Sequence, residues 1–221
     1  MRRLLWPAVL TTAMLVLALW LGVWQVHRLA WKTALLAEID RGEAAEPIPL
    51  PPNPAPFTKV QAEGRLRGDL TARYGVEVRG TPSGPLLGSQ VLRPLERPGA
   101  DPVIVDLGWM PDGRLPPQAG HASIVGYVRP PELPVRFGAA DDPVGRRFYA
   151  LDPAAIGASL GLPRVAPFTL VALGPPGGSP EPAQALPRPA NNHLSYALTW
   201  FGLAASLLVI FVIHARKVLA E

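Results

Sequence analysis

The sequence predicts a membrane protein: two transmembrane α-helices bracketing one β-rich domain, of antiparallel barrel or sandwich type, with a short helix. Three observations carry that prediction. Residues 4–26 are apolar apart from Thr11, Thr12 and Gln25, and residues 203–213 contain no charge. With its flanks each run reaches the roughly 20 residues that a helix needs to cross a bilayer. Between them lie short alternating or β-branched segments set off by Gly, Pro and Asp clusters. Charge follows the same division. Residues 33–190 hold 15 Arg/Lys against 16 Asp/Glu, so the net +4 of the 221-residue chain comes from the flanks of the apolar runs.

The first span is predicted over 4–27 and continues as a helix to about residue 40, because 29–39 contains neither Gly nor Pro. It outruns the apolar core of about 7–15 residues typical of a signal peptide and shows no Ala-x-Ala site, so it reads as an anchor. Residues 41–56 form a Pro-rich connector, with six prolines between 47 and 56, a composition suited to extended chain. The soluble β-rich domain is expected over 57–173, with strands near 57–66, 75–80, 86–95, 102–109, 123–128, 148–151 and 168–173. A helix over 152–160 fits between them, since Asp152 caps, Pro153 takes the first position and Gly161 stops it. Residues 174–190 read as a Pro/Gly linker and 193–214 as the second span. Arg2, Arg3, Arg216 and Lys217 favour cytoplasmic termini, against the pull of Arg28 and Lys32. The domain then faces the periplasm, from the plasma (inner) membrane of a bacterium.

Several functions fall away. A pI near 9.8 suggests nucleic acid, but no basic stripe exists outside the span flanks. There is no cysteine, and only Met1, Met14 and Met110 offer thioether, so copper delivery is not expected. Gly157-Ala158-Ser159-Leu160-Gly161 has the spacing of a hydrolase elbow, yet it closes a helix where the elbow opens one. The only histidines downstream of it are His193 and His214, and the chain reads as a non-enzyme. His121 reads as a turn residue and His214 as interfacial.

The span ends are more specific. On a helix His193, Tyr196 and Trp200 share one face, as do Trp20, Trp24, His27 and Trp31. Neutral imidazole is a common axial ligand of haem iron. Two such helix ends offer a slot for the macrocycle, with Arg28, Lys32 or Arg188 near its propionates. The aromatics equally suit an interfacial belt, and His193 a capping role.

Gly22-Val23-Trp24-Gln25 followed by Arg28, Trp31 and Lys32 resembles the first-span signature of the Surfeit locus protein 1 family. Asn191-Asn192-His193-Leu194-Ser195-Tyr196-Ala197-Leu198-Thr199-Trp200-Phe201 is similar to its second-span signature. Gly108-Trp109-Met110-Pro111 and Phe148-Tyr149-Ala150-Leu151-Asp152 resemble two elements between them. One departure is that Asp106 and Leu107 stand where the family usually has Asn-Arg. The resemblance implies a membrane-anchored factor for assembly of haem-copper oxidases, chiefly cytochrome c oxidase, that handles haem a. Its partners would be the catalytic subunit and the haem a synthesis machinery. His193 is the implied iron ligand, with Trp24, Gln25, Arg28, Tyr196 and Trp200 around it. His27 as a second ligand comes from helix geometry alone.

Two other readings stay open. One is a haem-free scaffold that docks on the oxidase through Gly22, Gly202, Ala204 and Ala205. The other is a sensor ectodomain, which needs an output module where eight residues follow Ile213.

Overall fold

Apolar continuity makes the first helix long: α1 spans Arg2–Ala44, 43 residues. The computed structural model describes residues 2–81, 84–118, 120–132, 136 and 138–220. Met1 and Glu221, which enter the thioether and charge readings, lie outside the described residues. Contacts divide the chain into two units, one up to Asp40 and from Arg188 onward, the other Arg41–Pro187.

The first unit holds most of α1 together with α3 (His193–Ala220). Both helices are long and apolar enough to cross a membrane, with mean hydropathies of 2.1 and 2.2. Ala18, Gly22 and Gln25 of α1 and Ala197 and Ala204 of α3 are buried, whereas most of the large apolar side chains are exposed. Small residues let backbones approach closely where lipid removes any hydrophobic drive between helices. Gly22 illustrates the closeness. A Cβ there would meet the Phe201 ring at 2.6 Å, so only glycine leaves room for it.

In the second unit the strands are β1 (Ile48–Pro49), β2 (Lys59–Leu66), β3 (Ala72–Thr81), β4 (Gly84–Arg97), β5 (Ala100–Pro111), β6 (His121–Arg129), β7 (Arg147–Phe148) and β8 (Thr169–Ala172), with α2 (Pro153–Ser159) before β8. They form one eight-stranded sheet in the order β1-β2-β6-β8-β5-β4-β3-β7. β1–β2, β3–β7 and β5–β8 pair parallel and the rest antiparallel. The sheet is therefore mixed, which corrects the expectation of an antiparallel barrel or sandwich. β2 does meet β4, but over two residue pairs only, short of the continuous closure of a barrel.

Neighbouring residues of β5 serve opposite faces, as a pleated strand dictates. Val103 and Val105 join a cluster with Val60, Leu95 and Leu170, while Ile104 joins Leu92, Phe148, Leu151, Ile156 and Leu160. α2 closes the second cluster. Its start is held by Asp152, whose carboxylate accepts from the Ala154 N–H at 2.9 Å with Pro153 at the first position. Each fully buried Leu, Ile or Val contributes roughly 1.5–3 kcal/mol.

Two segments read as connectors carry structure. β1 lies within 41–56 and pairs Ile48 with Val60. Within 174–190, Glu181 exchanges backbone hydrogen bonds with Trp109 at 2.7 and 2.8 Å, and Gly174 N–H donates to Ala183 at 3.0 Å. Glycine is required where this segment crosses β5. Gly108 has φ +113, and a Cβ would collide with the Glu181 carbonyl.

Candidate functional site

The element that brings chemistry together in the helical unit is the start of α3. The chain entering it runs along α1 in three steps. Arg188 pairs with Asp40 at 2.6 Å, Lys32 Nζ donates to the Ala190 carbonyl at 3.0 Å, and His193 Nδ1 meets Gln25 Oε1 at 2.6 Å. Lys32 and Gln25 stand seven residues apart, two turns of one α1 face. Gln25 is 8% exposed. With the amide oxygen as acceptor, Nδ1 carries the proton and donates, and Nε2 keeps the lone pair. The Trp24 ring stands edge-on to the imidazole, centroids 6.5 Å apart and planes at 87°. Asn191, two residues before His193, has a buried Oδ1 without a hydrogen-bond partner.

The other predicted residues are distributed differently. His27 is exposed and follows Gln25 by two residues, about 200° around the helix, so the structure does not bring it to His193. Tyr196 is exposed, as is Trp24, and Trp200 is half-buried. Arg28 lies over the Trp31 ring at 4.5 Å. The two aromatic stripes do not line the seam between the helices, which Gly22 and Phe201 close. Of the residues read as a docking face, Gly22 and Ala204 are consumed in that seam, while a Cβ on Gly202 would meet nothing within 4 Å. The seam itself escaped the sequence reading, although the spacing of Ala18, Gly22 and Gln25 carried its signal. His121 opens β6 opposite Arg65, and His214 is an exposed residue of α3.

In the β domain, Ser159 Oγ donates to the Ile156 carbonyl at 2.8 Å, a helix-end bond rather than a nucleophile's. Trp109 Nε1 donates to the Glu77 carbonyl at 3.2 Å, and Arg79 lies over its ring at 5.1 Å while pairing with Glu181 at 3.0 Å. Beside them Asp106 is 3% exposed. Burial pushes its carboxyl up to about 6, against the Gly108 N–H that donates to it at 3.0 Å and the charges of Arg129 and Arg79. Burial likewise raises the Tyr127 hydroxyl to about 12.

The comparisons with known proteins agree with this layout. The family model described as the SURF1 family matches residues 12–205, from inside the first apolar helix to inside the second. The chain belongs to the SURF1 family. A SURF1-like protein of Monosiga brevicollis is 28% identical over 216 residues, covering 89% of this chain and 83% of its own length. The SURF1-like protein of Rickettsia felis is 29% identical and covers 90% and 92%. The Cytochrome oxidase assembly protein SHY1 of Saccharomyces cerevisiae is 30% identical over 138 residues, 54% of this chain and 35% of its own. In this SURF1-family chain the matched range thus takes in most of the first apolar helix, the whole sheet and the first half of the second apolar helix.

Proposed function

We propose that this chain is a membrane-anchored, non-catalytic assembly factor for a haem-copper terminal oxidase, and that it holds haem a on His193 for hand-over to the catalytic subunit. The yeast relative, a cytochrome oxidase assembly protein by name, supports the assembly role. The Gln25–His193 hydrogen bond carries the haem reading. An imidazole that ligates metal commonly donates its other ring N–H to a fixed oxygen, which sets the tautomer and makes the ligating nitrogen more basic. Gln25 Oε1 is such an oxygen, and it leaves Nε2 as the ligand.

The residues present fit a planar pigment on the flank of the helix pair. Trp24 and Tyr196 supply exposed aromatic surface there, with Trp200 half-buried on the same α3 face. Arg28 and Lys32 supply cations for propionates one to two turns further along α1. Haem a, when bound, supplies the redox-active iron the oxidase needs. The chain's part is to orient one imidazole and shield one face from water. With His27 turned away, the pair offers one ligand rather than two. A single imidazole suits haem iron, and among the described residues neither thiolate nor paired thioether is at hand to favour soft copper(I). In this reading the helices span the bacterial plasma membrane with cytoplasmic termini, the β domain is periplasmic, and haem a synthesis lies upstream.

Full-length protein purified in mild detergent from cells that make haem a tests this. A Soret band is expected in the wild type, absent in His193→Ala, retained in His27→Ala, and lost on dilution of Gln25→Leu at roughly 10–100-fold higher concentration. A colourless wild type would leave the haem-free docking role in its place.

A further inference from the structure

The β domain carries a concentration of positive charge that the pigment reading does not use. A cleft of about 680 Å³ opens beside β2, β3 and β4. Six arginines line it, and one of them, Arg67, is paired with two carboxylates, Asp69 at 2.6 Å and Glu96 at 2.5 Å, of which Asp69 also acts on Arg65. Arg65, Arg73, Arg93, Arg114 and Arg146 remain, and no carboxylate lies within ion-pair distance of any of them among the described residues. Asp112 is the acid that acts on Arg73 from a distance, and its carboxylate is held by Arg147 at 2.7 Å and by Ser89.

Arg93 is the sharpest case, being 3% exposed. It donates to the Thr71 hydroxyl at 2.9 Å and to the Pro117 and Pro116 carbonyls at 2.7 and 3.5 Å, all neutral acceptors. Arg73 likewise donates to the Arg114 carbonyl at 2.7 Å and the Met110 carbonyl at 3.5 Å. Burial lowers the pKa of both guanidinium groups; Arg73 repels Arg93, and Arg147 repels Arg73. A fold does not gather cations at that cost for packing alone, since buried charge is normally paired. The same bonds fix the two forks and the 114–117 backbone in advance, which lowers the entropic cost of binding.

We propose that this cleft binds a compact polyanion bearing phosphate groups. A carboxylate brings one charge and two oxygens, whereas a phosphate brings up to about two charges and three strong acceptors that match the guanidinium fork. Two phosphates balance most of five arginines in a volume typical of small-ligand sites, on the order of 300–1,000 Å³. Leu66, Pro116 and Pro117 give the cleft an apolar wall.

Inorganic pyrophosphate titrated calorimetrically into the full chain, reconstituted in phosphatidylcholine nanodiscs, is the probe. Binding is expected, weakening with added salt, about tenfold weaker in Arg114→Gln or Arg146→Gln and unchanged in Arg164→Gln. The two cleft variants alter side chains that hold no other element, and circular dichroism confirms their fold. Phosphatidylglycerol nanodiscs separate two sources of the same chemistry. Competition with pyrophosphate identifies a lipid headgroup, and no competition identifies a free phosphate compound. Equal affinity in the wild type, Arg114→Gln and Arg146→Gln would overturn the site. Tighter binding of a poly-glutamate peptide would also overturn it, in favour of an acidic protein segment. Neither outcome bears on His193.

Discussion

Asp106 shows what one residue costs. Its ordinary pKa of 3.8 rises to about 6 in the folded chain, because burial disfavours the anion. At about pH 3 and lower, well under the ordinary value of 3.8, the carboxyl is mostly protonated whether the chain is folded or not, and its burial is harmless. As pH climbs from 3.8 to about 6 the unfolded chain releases the proton while the folded one holds it, so stability is lost across that window and levels off above it. About two pKa units correspond to roughly 3 kcal/mol. Asp106→Asn keeps an acceptor for the Gly108 N–H and removes the charge. The variant is expected to match the wild type at about pH 3 and to exceed it by up to about 3 kcal/mol at about pH 7.5, in urea denaturation followed by circular dichroism. Asp106 was legible in the sequence as a charged residue within the strand expected over 102–109; its burial was not, because alternation alone does not say that both faces of that strand are covered.

At the scale of elements, the helix pair turns on which face meets which. Periodicity placed Trp20, Trp24, His27 and Trp31 together correctly, yet it could not say that this face looks outward. In lipid an aromatic stripe gains nothing by turning inward, whereas Ala18, Gly22, Ala197 and Ala204 gain close contact. Gly22→Leu drives a branched side chain into the Phe201 ring. Overpacking of this kind costs about 1–3 kcal/mol. SDS titration of the full chain, monitored by tryptophan fluorescence, is expected to show earlier loss of the pair in Gly22→Leu and recovery in Gly22→Leu/Phe201→Ala. No recovery would mean that Phe201 does not set the spacing.

For the whole molecule, composition and pattern were enough to separate two apolar helices from a β-rich middle, and to place α2 by its Asp-Pro start and Gly stop. Strand order was beyond them, because the parallel pairs β3–β7 and β5–β8 join residues far apart in sequence. Counting charges hid the arginine cleft for a related reason. Its cations come from positions 65 to 146 and are averaged away by acids elsewhere, so only the fold gathers them. The place of β8 has a consequence for biogenesis. It sits between β6 and β5 although every other strand precedes it in the chain. Until Thr169–Ala172 leaves the ribosome, β5 and β6 each present a bare hydrogen-bonding edge, the kind of surface that chaperones guard. Nascent chains stalled with residue 165 exposed should be cut rapidly by protease, and those stalled beyond 187 should resist. Synthesis thus delivers the keystone after the arch, and the unfinished half-sheets need protection for as long as translation takes to reach it.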